Sequence, residues 1–177
     1  MFEEALENQI TFQMTELNDG VQVHGTEIEC LTAIGDFKNI IGNYVLRPHR
    51  SYTFTFRIIN SLNCKIGVVD REFVDKARSE NKPIVGAFSD FVQGFSLFSN
   101  GHKRNGSSAL KGTKVVSGFQ PGDYVTICFD SVNGSMSVFI NKVFSGVLFL
   151  DRSFTNREFY PALAMIGEKE KIRHIFF

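Results

Sequence analysis

The 177-residue chain has no tryptophan and only four prolines. Its three cysteines, Cys30, Cys64 and Cys128, are an odd number with no Cys-x-x-Cys spacing. That argues against a disulfide framework and a structural zinc site, and predicts reduced, mostly buried thiols. An excess of charge of either sign is also missing. Lys+Arg and Asp+Glu are both 19 and the formal net charge is +0, so no global field draws the chain to nucleic acid or an acidic bilayer. No apolar run approaches the ~18 residues a membrane span requires. Met1 to Gln9 is acidic and short of apolar residues, unlike a signal peptide. These absences predict a cytoplasmic or nuclear protein that binds neither membrane nor nucleic acid.

What the sequence does have is phenylalanine, 19 residues of it, arranged with a period of two. Phe54, Phe56 and Ile58 alternate with Thr53, Thr55 and Arg57. Val125, Ile127 and Phe129 alternate with Thr126, Cys128 and Asp130, and Met136, Val138 and Ile140 with Ser137 and Phe139. Successive side chains of a strand point to opposite faces, so these are strands. Weaker alternation covers Ile10–Thr15, Val21–Gly25, Cys64–Val69, Gln93–Phe98, Lys142–Phe149, Phe159–Met165 and Lys171–Phe177. Asn133-Gly134 and Asp19-Gly20 mark hairpins, and Pro121-Gly122-Asp123 a further turn. Many short strands without a long helical stretch predict an all-β fold, an antiparallel sandwich or barrel. Phe2–Asn8 suits a turn or two of helix. Phe73 and Ala77 would share a helix face, but Asp70–Ala87 is rich in charge and reads as one long connection, a kind that is often functional.

Chemistry-bearing motifs are sparse. There is no Gly-x-Gly-x-x-Gly, no phosphate-cradling loop and no nucleophile elbow. His24, His49, His102 and His174 are scattered without metal-ligand spacing, so no metal or cofactor is expected. Glu27 and Glu29, two apart on a strand, would lie ~7 Å apart. That lies within the range glycoside hydrolases use, but no aromatic platform accompanies them. Glu168 and Glu170 read as a charged turn, and His102-Lys103-Arg104 as a solvated hairpin tip.

Five segments in order resemble the SPRY domain family. They are Tyr52–Phe56 leading to Ile66-Gly67-Val68-Val69-Asp70; Gly94-Phe95-Ser96-Leu97-Phe98-Ser99-Asn100-Gly101; Pro121-Gly122-Asp123 entering the strand that ends at Asp130; the hairpin partner Ser137–Asn141 with Gly146–Phe149; and Phe159-Tyr160-Pro161-Ala162-Leu163-Ala164. The resemblance spans roughly residues 34–177. It implies a single domain, a bent antiparallel β-sandwich of concanavalin-like type, with residues 1–33 supplying leading strands and 34–177 the core. It also implies a non-catalytic, monomeric interaction module that binds a protein or peptide through loops at one end. By position, the loop after Ile66-Gly67-Val68 offers Arg71, Phe73 and Val74. The turn after the Tyr-Pro strand offers Met165, Ile166 and Gly167, one residue shorter than usual and without an aromatic. Arg47, His102 and Arg104 are candidates for the same end. Losing tryptophan removes a favoured hot-spot residue and predicts a different partner. The alternatives are a carbohydrate-binding or hydrolysing sandwich, and a structural subunit of a larger assembly.

Overall fold

The structure is a computed structural model that describes residues 12–13, 20–31, 36–106 and 113–175. The expected helix at Phe2–Asn8, the turn residue Asp19 and the last two residues of the C-terminal run lie outside them.

Among the described residues, thirteen strands form two antiparallel sheets. In chain order they are β1 (Phe12–Gln13), β2 (Val21–His24), β3 (Glu27–Cys30), β4 (Lys38–Gly42), β5 (Ser51–Ile58), β6 (Cys64–Asp70), β7 (Gly94–Phe98), β8 (Lys103–Arg104), β9 (Tyr124–Asp130), β10 (Ser135–Ile140), β11 (Val143–Leu150), β12 (Phe159–Met165) and β13 (Lys171–Ile175). One sheet has the order β1-β4-β12-β6-β7-β8 and the other β11-β10-β9-β5-β13-β3-β2. The all-β sandwich follows from alternation: in β9, Val125, Ile127 and Phe129 turn inward while Thr126, Cys128 and Asp130 turn out. β4 escaped the pattern because Asn39, Ile40, Ile41 and Gly42 are all buried, so its two faces do not differ.

The core between the sheets shows how the chain manages without tryptophan. Phe95, Phe129, Phe154 and Phe159 pack edge-to-face or tilted, with Phe95–Phe154 centroids 4.7 Å apart, Phe129–Phe154 4.9 Å and Phe154–Phe159 5.4 Å. Such geometry adds about 0.5–1.5 kcal/mol per pair beyond the area each ring buries. Gly67 lets β6 and β7 come close: a Cβ there would lie 1.9 Å from the Phe95 carbonyl oxygen.

Asp70–Ala87 is not a plain connection. Arg71–Ser79 is an α-helix, α1. The charges that argued against it are what an amphipathic helix shows to water. Arg71 pairs with Asp75 at 3.1 Å and Lys76 with Glu80 at 4.0 Å, both four residues on. Asp70 caps the N-terminus, its Oδ1 accepting from the Phe73 N–H at 3.1 Å. The other face lies on the six-stranded sheet, where Val74 joins Val69, Tyr160, Ala162, Ala164, Ile84 and Phe88 in a second apolar cluster. This layer explains why β6 and β12 are buried at every position.

Candidate interaction site

Strand direction decides which loops meet. β6 and β12 are antiparallel, with Asp70 opposite Phe159 and Cys64 opposite Met165. Six strand steps of ~3.3 Å put these two ends about 20 Å apart. The candidates therefore fall into two groups. The Arg71 N–H donates to the Glu158 carbonyl and Leu46 bridges to Phe159, so Arg47, Arg71, Phe73 and Val74 gather at the Asp70 end. Met165, Ile166 and Gly167 lie at the other. His102 joins them, because its carbonyl accepts from Phe98, the residue opposite Lys65. Arg104 pairs with Ser96 midway along the sheet edge. The expectation that all nine line one end is corrected: antiparallel register separates them.

Their surroundings separate them further. Val74 is 1% exposed and Met165 0%, so both are core residues with no surface for a partner. Gly167 and Ile166 sit in a braced turn. Glu170, read from sequence as a charged turn residue, is 6% exposed, and its carboxylate accepts from the N–H groups of Leu62, Asn63 and Gly167. His102 closes on Asn100, its Nδ1 2.9 Å from Asn100 Oδ1. Lys103 lies 5.2 Å from the Phe149 ring centre, so the basic tip is folded against the sandwich rather than free in solvent. The Arg47 N–H donates to the Tyr52 hydroxyl at 2.8 Å, which fixes its backbone and leaves its side chain exposed.

The Asp70 end is electrostatically built. An Arg71 Nη donates to Glu158 Oε2 at 2.6 Å and its Nε to Asp75 Oδ2 at 3.1 Å. These two hydrogen bonds raise its already high pKa. Arg157 Nε lies 3.0 Å from Asp70 Oδ2. Burial pushes the Asp70 carboxyl above its usual range, against the Phe73 N–H and Arg157, which pull it down. Beside this cluster a groove of about 520 Å3 runs along α1. Phe73, Ala77, Ile84 and Phe91 supply apolar surface, and Glu72, Glu80, Lys76 and Lys82 are charged residues lining it. Phe73 and Phe91 pack with their rings tilted and centroids 5.1 Å apart. A second hollow of about 590 Å3 shares Asp70, Glu72 and Arg157 and reaches Arg71 and Glu158. Sequence reasoning missed Phe91, Ile84 and Arg157, since nothing local distinguishes them. Only the crossing of α1 over the sheet brings them to Phe73.

The carboxylate pair has no free acid. Glu27 holds Arg173 at 3.0 Å and Lys171 at 3.4 Å, and Glu29 lies 3.5 Å from Lys171. The Arg173 hydrogen bond holds the Glu27 carboxyl below its usual range. Among the described residues no cluster of three or more His, Cys, Asp or Glu could hold a metal ion, and no helix is long and apolar enough to cross a membrane.

No family model and no curated protein matches the sequence. Solved structures do match the fold. The SPRY domain of human HERC1 superposes with a TM-score of 0.71 at 15% identity, covering 94% of this chain and 98% of that one. A human SPRY domain gives 0.67 at 14% identity, over 94% and 97% of the two chains. The TRIM65 PSpry domain gives 0.66 at 10% identity, over 98% and 97%. The chain has a SPRY fold. Near-complete coverage in both directions means that both sheets take part in the likeness. At identities of 10–15% the likeness is one of fold.

Proposed function

We propose that the chain is a non-catalytic protein-interaction module that holds a segment of a partner protein in the groove beside α1. The observation that carries this is the groove itself: apolar surface from Phe73, Ala77, Ile84 and Phe91, lined also by residues of both charges. Apolar anchors surrounded by polar residues are the usual anatomy of a protein interface. Arg71, held by Asp75 and Glu158, gives that end a fixed guanidinium for hydrogen bonds to a partner, and Arg157 and the exposed Arg47 are further cations there. The neutral net charge and the SPRY fold support a protein partner rather than nucleic acid. In this reading the chain acts as a monomer in the cytoplasm or nucleus and takes no cofactor. The sugar-cleaving alternative is disfavoured by the ion pairs that occupy Glu27 and Glu29.

The test is affinity capture with quantitative mass spectrometry, using wild type, Phe73→Ser and Leu62→Ser, the last an exposed residue toward the Cys64 end of the sheet. Partners should be retained by wild type and Leu62→Ser and depleted by a folded Phe73→Ser protein. Equal recovery with Phe73→Ser would place the interface elsewhere.

A further inference from the structure

The outer face of the seven-stranded sheet carries a second groove, of about 790 Å3, on the far side of the sandwich from α1. Outward positions of three adjacent strands build it: Thr53 and Thr55 of β5, Thr126 and Cys128 of β9, and Phe139 of β10, with Tyr124 and Ile175 at its sides. Its polar atoms already bond one another. Thr55 Oγ1 lies 2.8 Å from Thr126 Oγ1, and Thr53 Oγ1 lies 3.8 Å from Cys128 Sγ. What remains on offer is apolar surface. It continues onto β11, where Phe144 meets Phe139 with ring centroids 5.4 Å apart, and Phe144, Val147 and Leu150 are 57%, 48% and 79% exposed. This is a long surface, suited to an extended chain rather than to a small molecule. Two breaks in the β10–β11 register interrupt the edge ladder, which disfavours strand addition along β11 and leaves the face as the binding surface.

Charge tells one end of the groove from the other. Elsewhere on this face Lys171 and Arg173 are matched by Glu27 and Glu29. At the Tyr124 end two cations have no carboxylate partner among the described residues: Arg57, whose guanidinium is 5.8 Å from the Tyr124 ring centre, and the exposed Lys142. Asp123 at this end accepts from the Asn141 side-chain amide and the Gln120 N–H. At the other end Asp130 accepts from Ser51 and Asn133. Hydrogen bonds from neutral donors leave both carboxylates charged, so the Tyr124 end is net positive, Arg57 and Lys142 against Asp123, and the Asp130 end is negative.

We infer that this groove binds an extended protein segment that is apolar along its length and carries a carboxylate at the end that meets Arg57 and Lys142. It is a second docking surface, independent of the groove beside α1.

Cys128 is a built-in reporter, because Cys30 and Cys64 are fully buried. The experiment selects peptides from a random heptamer display library on the Phe73→Ser protein, which disables the groove beside α1. Enriched sequences should pair apolar residues with an Asp or Glu at one end. A fluorescein-labelled winner should slow the reaction of Cys128 with a thiol reagent by about five-fold or more. Its affinity should fall about ten-fold in Arg57→Glu/Lys142→Glu, fall in Phe139→Ser, and be the same for wild type and Phe73→Ser. Several outcomes overturn the inference. One is failure to enrich, or enriched peptides indifferent to the charge reversal. Another is a Cys128 already protected in the free protein, which would mean the chain fills its own groove. A third is self-association by sedimentation that Phe139→Ser abolishes. The last is binding to phosphatidylserine vesicles in place of peptide.

Discussion

Gly67 shows most sharply what a single position demands. The missing Cβ is not a matter of backbone angle but of room: β7 passes so close that an added carbon would meet Phe95 O at 1.9 Å and Ser96 Cα at 2.8 Å, both backbone atoms. Neither can rotate away, so the two strands would have to separate at the centre of the sheet. Gly67→Ala is expected to destabilise by about 3 kcal/mol or more, read as a fall in the thermal midpoint. An unchanged midpoint would mean that β6 and β7 can part without cost. The Ile-Gly-Val segment was legible in the sequence, but its reason was not, because the obstructing atoms belong to a strand about thirty residues away. Glu170 is the converse. A charged residue in a turn reads as solvated, yet it is buried and takes three backbone N–H groups, since a loop distant in sequence brings it the orphan donors of Leu62 and Asn63 and its own turn adds that of Gly167.

Among the elements, α1 is where local pattern and outcome differ. The helix rests on Asp70 as cap, on ion pairs four residues apart, and on one face applied to the sheet. Replacing Asp70 separates two roles. Asp70→Ala removes the cap and should cost about 1 kcal/mol. Asp70→Asn keeps the cap, since asparagine caps as well as aspartate, and relieves the burial that pushes this carboxyl up. It should stay close to wild type. Urea midpoints of the two variants decide this. If Asn were as damaging as Ala, the ion pair with Arg157 would outweigh the cap. The strands were easier to read than the helix. β5, β9 and β10 alternate because one face is wet, whereas β4, β6 and β12 are covered on both faces and reveal less of their orientation.

For the whole molecule, sandwich closure makes stability depend on pH. β13 sits between β5 and β3 and carries His174, 5% exposed and 5.3 Å from the Phe56 ring. Burial lowers its pKa from 6.5 to about 4. Because the folded pKa is the lower one, the unfolded chain takes up the proton first on acidification. The stability conferred by a neutral His174 is complete above pH 6.5 and is lost as pH falls toward 4. Allowing for partial solvent screening, the loss is on the order of 2 kcal/mol. Denaturation midpoints across that window should decline in wild type and decline less in His174→Gln. Equal slopes would assign the acid sensitivity to other groups.

The sequence by itself determined the alternating strands, the Asn133-Gly134 hairpin and the burial of phenylalanine, because alternation is a local property that each strand carries whole. The hairpin expected at Asp19-Gly20 is corrected, since β1 pairs with β4 and β2 with β3 in different sheets. The sequence also carried the likeness to SPRY domains, in five short segments. Only the tertiary structure decided which candidates meet. The end of the sandwich at which a loop emerges depends on strand direction and register across the sheet, and hydrogen bonds between distant segments set those. Arg71 follows β6 and Met165 ends β12 in the same sheet, but those strands run in opposite directions. The two grooves are tertiary for the same reason: one needs α1 laid across β6 and β12, and the other needs β5, β9 and β10 side by side.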